Sequence, residues 1–63
     1  MLITVNGDAR SFPDPTTVAD VLPATTSGVA VALNGTVVPR HRHAATPLAE
    51  GDAVEIVTAV QGG

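Results

Sequence analysis

Two stretches of this 63-residue chain hold side chains or termini able to do chemistry. The first is Arg40-His41-Arg42-His43, which contains all the basic or potentially basic residues except Arg10. It forms a local positive spot on an acidic chain, suited to orienting an acidic partner. The same charges at a strand edge would discourage edge-to-edge aggregation, and the sequence leaves both readings open. His41 and His43 stand at i, i+2, which on a strand would place two imidazoles on one face. Two ligands with no third nearby, in a chain without cysteine, give no metal site, and none is expected. The second stretch is Ala59-Val60-Gln61-Gly62-Gly63. Glycines without a Cβ can extend or turn with either sign of φ and thread a narrow cleft, whereas a side chain at 62 or 63 would meet its walls. Gln61, Gly62 and Gly63 offer no apolar anchor, so residues 61–63 are expected to form a flexible tail.

No catalytic constellation accompanies these stretches. The chain has neither a cysteine nor a lysine, and its six carboxylates, Asp8, Asp14, Asp20, Glu50, Asp52 and Glu55, are dispersed. Solvated surface is their expected role, with Asp52 shaping the Gly51-Asp52 turn. A carrier or binding module therefore fits better than an enzyme. The formal net charge of −3 argues against nonspecific binding to nucleic acid or an anionic membrane. Phe12 is the only aromatic side chain, which leaves little for stacking on bases. The N-terminal stretch has no basic segment followed by a long apolar one, and the longest apolar run, residues 29 to 33, is far too short for a membrane span. A cytoplasmic protein with a protein partner is the expectation.

The elements that must position these residues follow from pattern. Asn6-Gly7 between two β-favouring runs predicts a hairpin over residues 2–5 and 9–12. Pro13 and Pro15 interrupt it. Thr16 or Thr17 can cap a short amphipathic helix over about 17–22, with Val18, Val21 and Leu22 on its apolar side and Pro23 ending it. Residues 29–33 and 36–38 repeat the hairpin logic around Asn34-Gly35. Val29, Val31 and Leu33 face the core, and Pro39 marks the second strand as an edge. Residues 44–52 predict a compact loop anchored by Leu48, and residues 53–60 a final strand burying Val54 and Ile56. Ala30, Ala32, Val57 and Ala59 fall opposite the core positions. They form either a smooth patch for close docking or scattered surface alanines and valine of no special role. The order β-β-α-β-β-β predicts an α+β fold, one domain over 1–60 with five strands and one short helix on one face.

The phrases "TVADVL", "VAVALNGTVVPR" and "PLAEGDAVEIV", followed by the terminal "GG", resemble the ThiS family of sulfur carrier proteins of thiamine biosynthesis. The resemblance runs over essentially the whole chain. It implies a ubiquitin-like β-grasp: a mixed sheet whose last strand lies in the middle, beside the first. Two features depart from the family pattern. The helix and connector are cut short at Pro23, and His43 stands where an aromatic residue is common after "VPR".

An unactivated carboxylate is a poor electrophile, so a carrier loaded at its own C-terminus needs a partner that uses ATP. The resemblance implies a ThiF-type adenylyltransferase acting on Gly63, a sulfur donor protein, a Gly63 thiocarboxylate, and sulfur delivery to a ThiG-type thiazole synthase. Gly62 and Gln61 then provide access, and Ala30, Ala32, Val57, Ala59, Arg40 and Arg42 are the candidate partner interface. The carrier itself would bind no cofactor. Three alternatives share parts of the pattern: a MoaD-like carrier for molybdopterin, a ubiquitin-like modifier, and a TGS-like binding module without tail chemistry.

Overall fold

The computed structural model describes residues 1–22 and 28–58. The expectations placed on Pro23, on most of the connector after it and on residues 59–63 lie outside the described residues. Strand β1 (Leu2–Val5) turns at Asn6-Gly7 into β2 (Asp8–Ser11). Helix α1 (Val18–Val21) follows, then β3 (Val29–Leu33), β4 (Thr36–Val38), a 3-10 helix (Arg40–Ala45) and β5 (Ala53–Thr58). The strands form one sheet in the order β2-β1-β5-β3-β4. The β1–β5 pair is parallel and the other pairs are antiparallel, so the sheet is mixed and its last strand is central.

Both hairpin turns work as the sequence predicts. Asn6 and Asn34 have φ of 52° and 50°, each followed by a glycine at 85°, the doubly positive pair that matches the twist of adjoining strands. The second strand of the first hairpin is Asp8–Ser11, one residue earlier than expected, because Val5 pairs directly with Asp8 across a two-residue turn. Phe12 has left the strand, although its N–H still donates to the Met1 carbonyl at 2.8 Å.

The helix is shorter than the predicted 17–22. Thr17 is its cap residue, with extended backbone, and Leu22 is extended again at the other end. The Asp20 carboxylate accepts from the Thr17 N–H at 2.8 Å and from its hydroxyl at 3.1 Å, satisfying a donor that the first turn leaves unpaired. So brief a helix cannot be stable by itself and is held by its contacts. Val18 N–H donates to Thr46 and Leu48 N–H to Thr16, both at 2.9 Å, which ties the start of α1 to the segment leading into β5. Thr16 is itself buried, its hydroxyl donating to the Pro13 carbonyl.

Alternation along the strands divides the sheet into two faces. Ile3, Val5, Val31 and Val54 close against Val18 from α1 and Leu48 from the loop, making the buried core. Val29, Leu33 and Ile56 pack at its margin and are only half-buried, because one short helix cannot cover the width of five strands. The opposite face carries Thr4, Ala9, Ala30, Ala32, Val37, Ala53, Glu55 and Val57, as the pairs Thr4–Ala53, Ala32–Glu55, Ala32–Val37 and Ala30–Val57 require. Among the described residues no helix is long and apolar enough to cross a membrane.

The central strand is gripped by the two turn asparagines. Asn6 accepts from the Ile56 N–H through Oδ1 at 2.7 Å and donates from Nδ2 to the Ile56 carbonyl at 3.2 Å, so a side chain continues the ladder where β1 has turned away. Asn34 accepts from the Ala53 N–H at 2.9 Å and donates to Asp52 at 3.0 Å. The other Asp52 oxygen accepts from Ala49 N–H at 2.8 Å, which is the turn-shaping role expected for this residue. Replacing Asn6 by Ala should therefore lower stability by about 1–3 kcal/mol in urea unfolding and accelerate hydrogen exchange at the Ile56 amide. Unchanged exchange at Ile56 would show that the side-chain pair contributes nothing.

Candidate functional site

The four-residue basic stretch is not a strand edge. Pro39 and Arg40–Ala45 form a 3-10 turn, in which the Arg42 N–H donates to the Pro39 carbonyl at 2.8 Å and the Thr46 hydroxyl to the Arg42 carbonyl at 2.7 Å. His41 and His43 consequently do not share a strand face. His41 is exposed, whereas His43 is only 7% exposed, and its Nε2 lies 3.0 Å from the Val38 carbonyl. Because a carbonyl oxygen only accepts, the ring donates there through Nε2–H. The period-2 expectation failed because Pro39 lets the chain leave the sheet and three residues per turn then replaces two. His43 occupies the position where the family pattern often has an aromatic residue, and it serves as a packed side chain with one polar tie. No cluster of three or more potential metal ligands occurs among the described residues.

Of the six residues of the candidate interface, the five that are described do not share one surface. Ala30, Ala32 and Val57 lie on the open sheet face. There Ala30 and Val57 are exposed and Ala32 is half-buried. Val37, paired across from Ala32 and 71% exposed, extends the same surface, and the sequence reading had passed over it. The signal was available: a valine in an edge strand one residue out of phase with the core positions. Glu55 lies between Ala32 and Ala53 on this face and is its carboxylate. Arg40 and Arg42 are exposed on the 3-10 helix, which packs beside α1 on the opposite side of the sheet. Ala59, Gln61, Gly62 and Gly63 lie outside the described residues.

The geometry of β5 sets which way the backbone groups of its last described residues face. Ile56 spends its backbone groups on Asn6, so its N–H and C=O point toward β1, and Val57 points toward β3. By the same alternation the Thr58 groups face the side where β1 has already turned. On the other side, Val29–Thr58 is the final pair with β3. Strand neighbours thus end at Thr58 among the described residues, at the end of the sheet where β4 also finishes, because Val31 pairs with both Val38 and Ile56.

A mixed five-stranded sheet with its last strand central and parallel to the first, and with one short helix across one face, defines a ubiquitin-like β-grasp domain. The chain belongs to the ThiS family, whose model matches residues 3–63. It is similar to the crystal structure of the thiamine biosynthesis protein ThiS from Geobacter metallireducens, at 35% identity and a TM-score of 0.84, with all of both chains covered. It is also similar to a solution structure of a thiamine biosynthesis protein from Geobacter metallireducens, at 33% identity and a TM-score of 0.75, covering all of this chain and 88% of that one. No curated protein sequence matches it.

The two histidines should separate cleanly by mutation. His43→Ala removes a buried ring and leaves the Val38 carbonyl without that donor, so it should cost about 1–3 kcal/mol. His41→Ala should fall within about 0.5 kcal/mol of the parent in the same thermal or urea unfolding series.

Proposed function

We propose that this protein is a sulfur carrier in thiamine biosynthesis, a protein cosubstrate whose reactive group is the Gly63 carboxyl group. The observation that carries the reading is the family match that runs through Gly62 and Gly63. The fold is consistent with it. A carrier needs a rigid body that partners can grip and a terminal segment that leaves that body without strand neighbours. β5 provides the first, since it is held on two sides as far as Ile56 and Thr58, and the glycines that end the sequence suit the second.

The chemistry follows from the poor electrophilicity of a carboxylate. In a ThiF-type adenylyltransferase, a Gly63 oxygen attacks the α-phosphorus of ATP and pyrophosphate leaves, giving an acyl-adenylate. A persulfide sulfur on the donor protein displaces AMP and forms an acyl disulfide. Attack by a thiol on the donor's sulfur then breaks the S–S bond, forming a protein disulfide and releasing the Gly63 thiocarboxylate. That sulfur is the nucleophile delivered to a ThiG-type thiazole synthase. This chain contributes access and docking, and the acid–base and nucleotide chemistry belongs to its partners. Gly62 and Gly63 suit the access role because neither brings a Cβ into a narrow channel.

The open sheet face is the docking surface in this reading. Ala30, Ala32, Val37 and Val57 form a low, apolar strip across three strands, and small residues permit close approach of a partner. Val57 leads directly into the terminal segment, so a partner seated on this strip is positioned to receive the tail. Ala59 belongs to the same proposal by its place in the alternating pattern.

Incubation with ATP, a ThiF-type enzyme and a persulfide donor should raise the mass of the intact chain by about 16 units, with fragmentation assigning the gain to Gly63 rather than to oxidised Met1. Deletion of Gly63 should abolish the gain while leaving the unfolding midpoint unchanged, and retained loading would falsify the carrier reading. Val57→Asp should slow loading by about tenfold or more through weaker docking, an effect of about 1.4 kcal/mol. Excess activating enzyme should restore it.

A further inference from the structure

A cleft of about 250 Å³ lies between the end of α1 and the start of the 3-10 helix, remote from the open sheet face. It is lined by Ala19, Leu22, Arg40, His41, His43 and Ala44. Among the described residues, half of that lining is apolar, half is basic or potentially basic, and none of it is a carboxylate. This is a local reversal of charge on a chain with a net charge of −3. Within the cleft His43 is engaged with the Val38 carbonyl and acts as a wall. Arg40 and His41 are exposed and form the polar rim. Arg42, although adjacent in sequence, does not line the cleft, because the 3-10 turn carries it away.

We propose that this cleft receives a single carboxylate side chain from a partner protein. Its methylene stem would lie on Ala19, Leu22 and Ala44 and its oxygens would meet the Arg40 guanidinium. Three features favour that occupant. The volume falls below the ~300–1,000 Å³ of pockets built for drug-sized molecules and suits one side chain. The planar guanidinium matches a carboxylate through two parallel N–H···O bonds. The apolar walls stabilise a hydrocarbon stem but give nothing to a free inorganic anion, which favours a side chain over phosphate.

Position connects the cleft to the end of β5. Arg40 follows Val38 by two residues, and β4 and β5 finish at the same end of the sheet, separated by β3 alone. Two strand spacings are about 10 Å. A partner that contacts β5 at Thr58 therefore comes close to the end of β4, from which the chain continues into Arg40. The identity of that partner rests on the carrier reading; the recognition of a carboxylate does not.

The test is an NMR titration of the ¹⁵N-labelled full chain at low salt with capped hexaglutamate, capped hexaglutamine and inorganic phosphate. Hexaglutamate should shift the amides of residues 19–22 and 40–44, and hexaglutamine should not. Arg40→Gln should weaken hexaglutamate binding about tenfold, whereas Arg42→Gln, which removes the same charge outside the cleft, should weaken it less than about threefold. Ala44→Glu, which sets a carboxylate in the cleft, should eliminate binding, and retained amide dispersion checks the fold of each variant. Equal losses in the two arginine variants would reduce the effect to general charge attraction and overturn the proposal. Phosphate producing the same shifts at comparable affinity would overturn it in favour of a free-oxyanion site, and an absence of shifts would overturn it outright. Failure of wild type to load at Gly63 would count against the carrier reading alone, since the titration uses no activating enzyme.

Discussion

Everything in this domain depends on satisfying both edges of β5. A central strand has backbone donors and acceptors on two sides, and any left unpaired in the interior carry a desolvation penalty of about 1–3 kcal/mol each. β1 supplies partners only as far as Val5, and β3 runs the other way from Leu33 to Val29. The gap beyond β1 is filled by Asn6, whose amide bonds both backbone groups of Ile56, and the start of the strand is held by Asn34 and Asp52. Each asparagine thus does two jobs. Its backbone adopts the positive φ of a tight turn, and its side chain anchors a strand distant in sequence. A 63-residue chain without disulfides has little core to draw on, so such economy matters.

The same small core explains why the sheet has one covered face and one bare one. Four helical residues and the loop carrying Leu48 are enough to bury Ile3, Val18, Val31 and Val54, but not to reach the margins. No second layer covers Ala30, Val37 and Val57 among the described residues. In a free-standing domain a bare apolar strip costs solubility; in one that must be recognised by larger partners it is a contact surface. The 3-10 helix completes the division, because it takes the basic groups to the covered side and leaves Glu55 as the carboxylate amid small residues on the open one.

Family membership fits a chain of this make-up. A ThiS-family chain in a carrier role has no need of its own catalytic groups. The dispersion of acids and the absence of cysteine and lysine are then consistent features of one design. The asparagine grip keeps β5 in register close to its last described residue, Thr58.

The sequence by itself determined the elements whose cause is local. Two Asn-Gly pairs specify two hairpins, alternation specifies which residues face inward, and prolines mark the interruptions; the phrases shared with the ThiS family supplied the strand order that local pattern could not. Three things were decided only by tertiary structure. The long-range use of Asn6 and Asn34 was invisible, because a turn explains both residues fully until β5 is placed beside them. The helix is only Val18–Val21, and its start answers to Thr46 and Leu48 across the fold, partners that helical spacing cannot reveal. The Arg40–His43 stretch changed role, from a strand edge to a 3-10 wall with a buried histidine, because Pro39 freed the chain to turn across the sheet and pack beside α1. The candidate interface divided for the same reason: spacing tells which residues share a strand face, but only packing tells on which side of the sheet a loop comes to rest.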